Sequence, residues 1–146
     1  MAASPPIAET FVLADERLTL LGQDAADLPA ISALLQDATL RAPDVAFDRR
    51  RRRLVLLVNR YRWEAATPSR VRAALRVETV GAVQRRLWPS EHDAVLAVLA
   101  LTLEGNHLVI SFSGGAALRA QIEVVELVLE DMAPPWRTPH QPQHPV

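Results

Sequence analysis

The sequence predicts an α+β domain dominated by antiparallel sheet: about seven strands in a curved sheet or partly closed barrel, packed on one main helix near the N-terminus. Three observations carry this. Apolar residues alternate with a period of two over most of the chain after Thr39, a single earlier stretch has helical spacing, and turn residues break the alternation at short intervals. The 146 residues, 49% apolar and 23% charged, have the balance of one soluble globular domain able to bury a core unaided. The absence of cysteine removes disulfides, thiol nucleophiles and cysteine metal sites.

Residues 1–15 read as a flexible N-terminal segment, residues 16–136 as the single globular domain, and residues 137–146 as a proline-rich disordered tail. "RLTLLGQD" is a short strand. In "DAADLPAISALLQDATL", Leu28, Ile31, Leu34 and Leu35 recur at helical spacing; Asp24 is placed to cap the helix, and Pro29 is tolerated only in its first turn. "TLRAPDVAFD" and "RLVLLVNRYRWE" read as a hairpin turning at Arg49–Arg52. Val55, Leu57, Asn59, Tyr61 and Trp63 point one way, taken as inward at Asn59. Leu54, Leu56, Val58, Arg60, Arg62 and Glu64 point the other, on a face that runs from core to solvent.

"RVRAALRVETVGAVQRRL" alternates again, with Val71, Ala73, Leu75, Val77 and Thr79 on one side, Arg70, Arg72, Arg76 and Glu78 on the other, and Gly81 marking a bulge or bend. "AVLAVLALTLEGNHLVISF" is a hairpin through Gly105-Asn106, and Gly114-Gly115 turns the chain into "AALRAQIEVVELVLEDM". That last stretch fits a strand with a bulge at Val124-Val125 or a helix with Ile122, Val125, Leu129 and Met132 on one side. Its β-branched valines and missing N-cap favour the strand.

No apolar run reaches the ~18 residues of a membrane helix, and the first residues lack the basic and apolar regions of a signal peptide, so a cytoplasmic protein is expected. The net charge of −1 hides an asymmetry. Residues 1–48 hold two arginines against eight acids, residues 49–86 twelve arginines against two acids, and residues 87–146 two arginines against seven acids; the thirds carry −6, +10 and −5. All sixteen cations are arginine, whose planar fork suits carboxylate and phosphate.

Four blocks in order, "DAADLPAISALLQDATLR", "LVLLVNRYRWE", "DAVLAVLALTLE" and "FSGGAALRAQIEVVELVLEDMAPPW", resemble an alphaproteobacterial family, domain of unknown function 2948. The likeness covers Leu18 to Trp136. It implies kinship and an alphaproteobacterial, cytoplasmic origin, and supplies no activity, cofactor or catalytic residue.

The chain has no phosphate loop, dinucleotide fingerprint or nucleophile elbow. His92 beside Asp93 and His107 in its turn read as solvated loop histidines. His140 and His144 have ligand-like spacing only in a helix, which Pro142 opposes. No catalytic residue, cofactor or metal is expected. The candidate surface is Arg49, Arg50, Arg51, Arg52, Arg60, Arg62, Arg70, Arg72 and Arg76, with Arg60 and Arg62 expected on one face with Arg70, Arg72 and Arg76, away from Tyr61 and Trp63. The bland account pairs these arginines with Glu123, Glu126, Glu130 and the acids of the first third, within the chain or between subunits. The functional expectation is a non-catalytic interaction module whose arginines meet a protein partner or a second copy. RNA or another polyanion is the alternative, and an enzyme with a site scattered in sequence is a third.

Overall fold

In this computed structural model, which describes residues 17–139 with 141 and 142, eleven strands form one antiparallel sheet. The segment 1–15, His140, His144 and the rest of 143–146 lie outside the described residues. The strands are β1 (Thr19–Gly22), β2 (Thr39–Arg41), β3 (Val45–Asp48), β4 (Arg53–Tyr61), β5 (Ser69–Val77), β6 (Val80–Arg86), β7 (Val95–Glu104), β8 (His107–Phe112), β9 (Ala117–Ile122), β10 (Leu127–Asp131) and β11 (Trp136–Arg137). Their order is β1-β10-β5-β4-β2-β7-β8-β9-β6, with β3 added to β4 and β11 to β5. The path is open, with β1 and β6 at its ends.

One helix, α1 (Leu28–Leu35), packs on the sheet. It begins where its sequence dictates. A 3-10 turn over Ala25–Asp27 precedes it, Asp24 Oδ1 accepts the Ala26 N–H at 2.9 Å, and Asp27 Oδ2 accepts the Gln23 N–H at 2.8 Å. Pro29 falls in the first turn, and Leu28, Ile31 and Leu35 enter the core.

The strand count exceeds seven because three alternating stretches each divide in two and Trp136–Arg137 adds a short last strand. "TLRAPDVAFD" is broken at Ala42–Asp44 by a 3-10 turn, and both halves pair with β4, through Thr39↔Asn59 and Val45↔Leu56. The other two divisions share one corner. β5 pairs with β10 up to Val77↔Leu127, and β6 pairs with β9 from Val80↔Ile122. One long ladder therefore bends between these pairs. Thr79, at φ 59°, holds the bend: its Oγ1 accepts from the N–H groups of Glu123 and Val124 at 3.3 Å each. The slip in alternation at Val124-Val125 is this corner rather than a bulge within one strand.

The core is the inner face of both halves of the sheet. Leu54, Leu56 and Val58 of β4 and Ala73, Leu75 and Val77 of β5 are fully buried beside Leu108, Ile110, Leu118 and Leu129. Leu75 is paired with both Leu56 and Leu129. At the far end Trp136 and Arg137 pair with Arg70 and Ser69, and the Thr138 N–H reaches the Pro68 carbonyl at 3.1 Å, so the sheet's pairing runs past Trp136.

Leu75→Ala opens a cavity at the centre of three strands and is expected to cost about 2–5 kcal/mol of stability in urea unfolding, with an unchanged denaturant slope.

Candidate functional site

β4 and β5 decide where the arginines go. Their register sets Tyr61 opposite Arg70, Arg60 opposite Val71, Asn59 opposite Arg72 and Val55 opposite Arg76. Paired residues share a face, so Arg60 lies on the inner face with Val71, whereas Arg70, Arg72 and Arg76 lie on the outer face with Tyr61 and Asn59. The single arginine face expected from the sequence is therefore two faces. Both Arg60, 0% exposed, and Arg62, 1% exposed, are buried. The inner face of β4 ends in charge because it meets partners there, not because it reaches solvent.

Arg60 is held by two carboxylates. Its Nε and Nη2 donate to Asp131 Oδ1 and Oδ2, both at 3.0 Å, and its Nη1 and Nη2 donate to Glu64 Oε1 and Oε2 at 2.9 and 2.8 Å. A longer contact from Nη1 to the Tyr61 carbonyl at 3.5 Å engages the fifth N–H. Asp131 Oδ2 also accepts the Leu18 N–H at 2.8 Å, tying the entry to β1 to the same group. Beside it, Arg62 Nη1 donates to Ser69 Oγ at 3.1 Å, and that hydroxyl donates to the Thr67 carbonyl at 3.0 Å. Arg62 Nε stands 4.0 Å from Glu64 Oε2.

Burial alone would push the Arg60 pKa down, but its hydrogen bonds to Glu64 and Asp131, with their charges, outweigh it and hold the guanidinium above its ordinary value. Burial likewise pushes Glu64 up, and the bonds from Arg60 more than offset it, leaving this carboxyl below its usual range.

On the outer face the arginines are answered more loosely. Arg76 Nε lies 2.8 Å and Arg53 Nε 2.9 Å from the same Glu78 oxygen, although the Arg76 approach is off the hydrogen-bond line. Arg72 is 3.6 Å from Asp44 and donates to Asn59 Oδ1 at 3.3 Å. Asn59 is thus an outer-face acceptor, not an inward residue. Arg70 stands over the Tyr61 ring, 5.9 Å from its centroid, and donates to the Asn59 carbonyl at 3.1 Å. Tyr61 packs edge-on against Trp63 at 4.7 Å, and the Trp63 Nε1–H donates to the Gln36 carbonyl at 2.9 Å.

The turn between β3 and β4 spans residues 49–52. Arg51 pairs with Asp48 at 3.4 Å, and Arg52 reaches Glu123 at 2.7 Å, while its carbonyl accepts the Val80 N–H at 2.8 Å. Arg49 and Arg50 are exposed and make no ion pair among the described residues. Of the acids expected to answer the arginines, Glu123 does so, as do Asp44 and Asp48 from the first third. The Glu126 and Glu130 carboxylates do not, and Glu64, Glu78 and Asp131 act as well.

A second basic site was not singled out in the sequence. The β6 end of the sheet carries a groove of about 680 Å³ lined by Gln84, Arg85, Arg86, Glu104, Val109 and Arg119. The register sets Gln84 opposite Arg119 and Arg86 opposite Ala117, so Arg86 and Arg119 are diagonal neighbours on one face. None of the three arginines makes an ion pair among the described residues. Arg85 lies over Trp88, 5.6 Å from the ring centroid, and Arg119 Nη2 is 3.4 Å from His107 Nδ1. The adjacent pair Arg85-Arg86 was the signal in sequence, masked by the longer arginine run upstream. Arg119 had none, since only the register of β6 on β9 brings it there.

Among the described residues no three acidic or histidine side chains are grouped to hold a metal ion, and no helix is long and apolar enough to cross a membrane.

Fold and site together define an open antiparallel β-domain with a buried arginine–carboxylate centre and an unneutralised basic groove at one end of its sheet. A family model described as protein of unknown function (DUF2948) matches residues 18–144, and the chain belongs to that family. No curated protein and no solved structure matches it.

Asp131→Ala leaves a buried guanidinium short of a partner and is expected to cost about 3–5 kcal/mol; adding Arg60→Met recovers much of that loss, as chemical denaturation will show. Because Glu64 titrates lower folded than unfolded, its contribution is complete above the ordinary carboxylate range and is lost as the pH falls through the folded pKa. Stability measured from neutral to acid pH should therefore fall less steeply in Glu64→Gln.

Proposed function

We propose that this domain is a non-catalytic interaction module that binds an acidic protein partner through Arg49, Arg50, Arg85, Arg86 and Arg119. One observation carries the reading: these five exposed guanidiniums stand around a single strand, β6, and make no ion pair within the described chain, whereas Arg17, Arg41, Arg70 and Arg137, also without one, are spread over other parts of the sheet. Exposed arginines around one edge strand of a chain with net charge −1 attract anionic surfaces while the remaining acids repel them elsewhere, which sets orientation.

A protein partner fits better than RNA. Among the described residues no aromatic lines the groove; Trp88, beyond Arg85, packs edge-on against Phe112 at 5.5 Å with Arg85 over its ring. The outer-face arginines of β5, which would have extended a phosphate track, are drawn to Asp44 and Glu78.

Fluorescence anisotropy with a labelled polyglutamate peptide tests this. Arg86→Glu with Arg119→Glu should weaken binding about tenfold or more, and Arg72→Ala with Arg76→Ala should leave it nearly unchanged. Tighter binding of a single-stranded oligonucleotide of matched charge would favour the polyanion reading instead.

A further inference from the structure

We propose that β6 is the docking edge itself, taking up an extended acidic segment of the partner protein as an added strand. This rests on the basic-groove reading above and specifies its geometry. β6 ends the hydrogen-bonded path of the sheet and pairs on one side only, with β9. A strand paired on one side turns alternate N–H and C=O groups outward, a template for a further strand. Gly81, Ala82, Gln84, Arg85 and Arg86 are exposed along it.

The charges around this edge specify what it accepts. At its head the Val80 N–H is bonded to the Arg52 carbonyl, which sets the turn carrying Arg49 and Arg50 at that end. At its foot stand Arg85 and Arg86. Successive residues of a strand point to opposite faces, so Arg86 projects with Gln84 and Arg119 onto the groove side, and Arg85 projects to the other side over Trp88. An incoming strand therefore meets guanidinium on both of its faces. A segment with carboxylates at consecutive positions satisfies both while its backbone completes the ladder.

The same arrangement rejects other occupants. Basic strands are repelled, and neutral apolar strands leave the arginines unanswered. A second copy pairing antiparallel through β6 would set the Arg85-Arg86 end of one chain beside the Arg49-Arg50 end of the other, opposing like charges at both ends of the seam. A nucleic acid has no peptide ladder to offer the edge.

The test uses a fluorescein-labelled peptide of alternating glutamate and valine, and the same peptide with alternate amides N-methylated, so that charge is kept and one ladder of hydrogen bonds is lost. The full chain should bind the first at least about tenfold more tightly than the second. Hydrogen exchange at the β6 amides should slow when the unmodified peptide is bound. Arg85→Glu with Arg86→Glu, on the exposed edge, should abolish the difference by weakening both. Equal binding of the two peptides, lost on charge reversal and without β6 protection, would overturn strand addition and leave the basic-groove reading standing. Binding of neither peptide would overturn both. A concentration-dependent dimer that protects β6 without peptide would replace the acidic partner with a second copy.

Discussion

A guanidinium taken out of water must have every N–H answered, and much of this fold converges on that demand at Arg60. Its two carboxylates come from distant parts of the chain: Glu64 from just beyond β4, and Asp131 from the end of β10. Asp131 reaches it because Ala73 of β5 pairs with both Val58 and Asp131, which places the carboxylate diagonally across β5 on the inner face. The same carboxylate takes the Leu18 N–H, so the register of β4, β5, β10 and the approach to β1 is fixed around one ion. A one-residue slip in any of these ladders would turn Arg60 or Asp131 to the opposite face and leave a charge buried alone. The cluster's net benefit to stability is small against its desolvation, and its stronger effect is on which register is allowed.

Neutralisation inside the domain shapes what is left outside. Glu78 lies near both Arg53 and Arg76, Glu123 takes Arg52, and Asp44 approaches Arg72. These pairs are partly exposed and individually weak, yet they engage four of the twelve arginines of the basic middle third. Five of the cations without a carboxylate stand around β6: Arg49 and Arg50 in the turn at its head, Arg85 and Arg86 at its foot, and Arg119 beside them on β9. The corner at Thr79 is responsible, because it swings β6 away from β5 and carries Arg85 and Arg86 onto the sheet's free edge.

Local chemistry was legible where neighbours in sequence are neighbours in space. The Asp24 cap, Pro29 in the first helical turn, the turn at residues 49–52, the Gly105-Asn106 turn and the inward set Val71, Ala73, Leu75 and Val77 all follow from patterns within a few residues. Parity along β4 was legible too, but not which parity faces in. Its first residues are apolar on both faces, so Arg60 and Asn59 could be assigned only by knowing what lies above and below them. Arg60 went inside because Asp131, 71 positions away, was there to meet it. The division of "RVRAALRVETVGAVQRRL" and "AALRAQIEVVELVLEDM" at a shared corner was hidden for a similar reason: each break is stabilised by the other.

The sequence by itself determined an antiparallel β-rich chain with one capped helix, a basic middle third and family membership, since composition, period and turn residues act locally. Only the tertiary structure decided which arginines are spent on the chain's own acids and which remain open. That depends on strand register, and register is set by contacts between residues far apart in the chain.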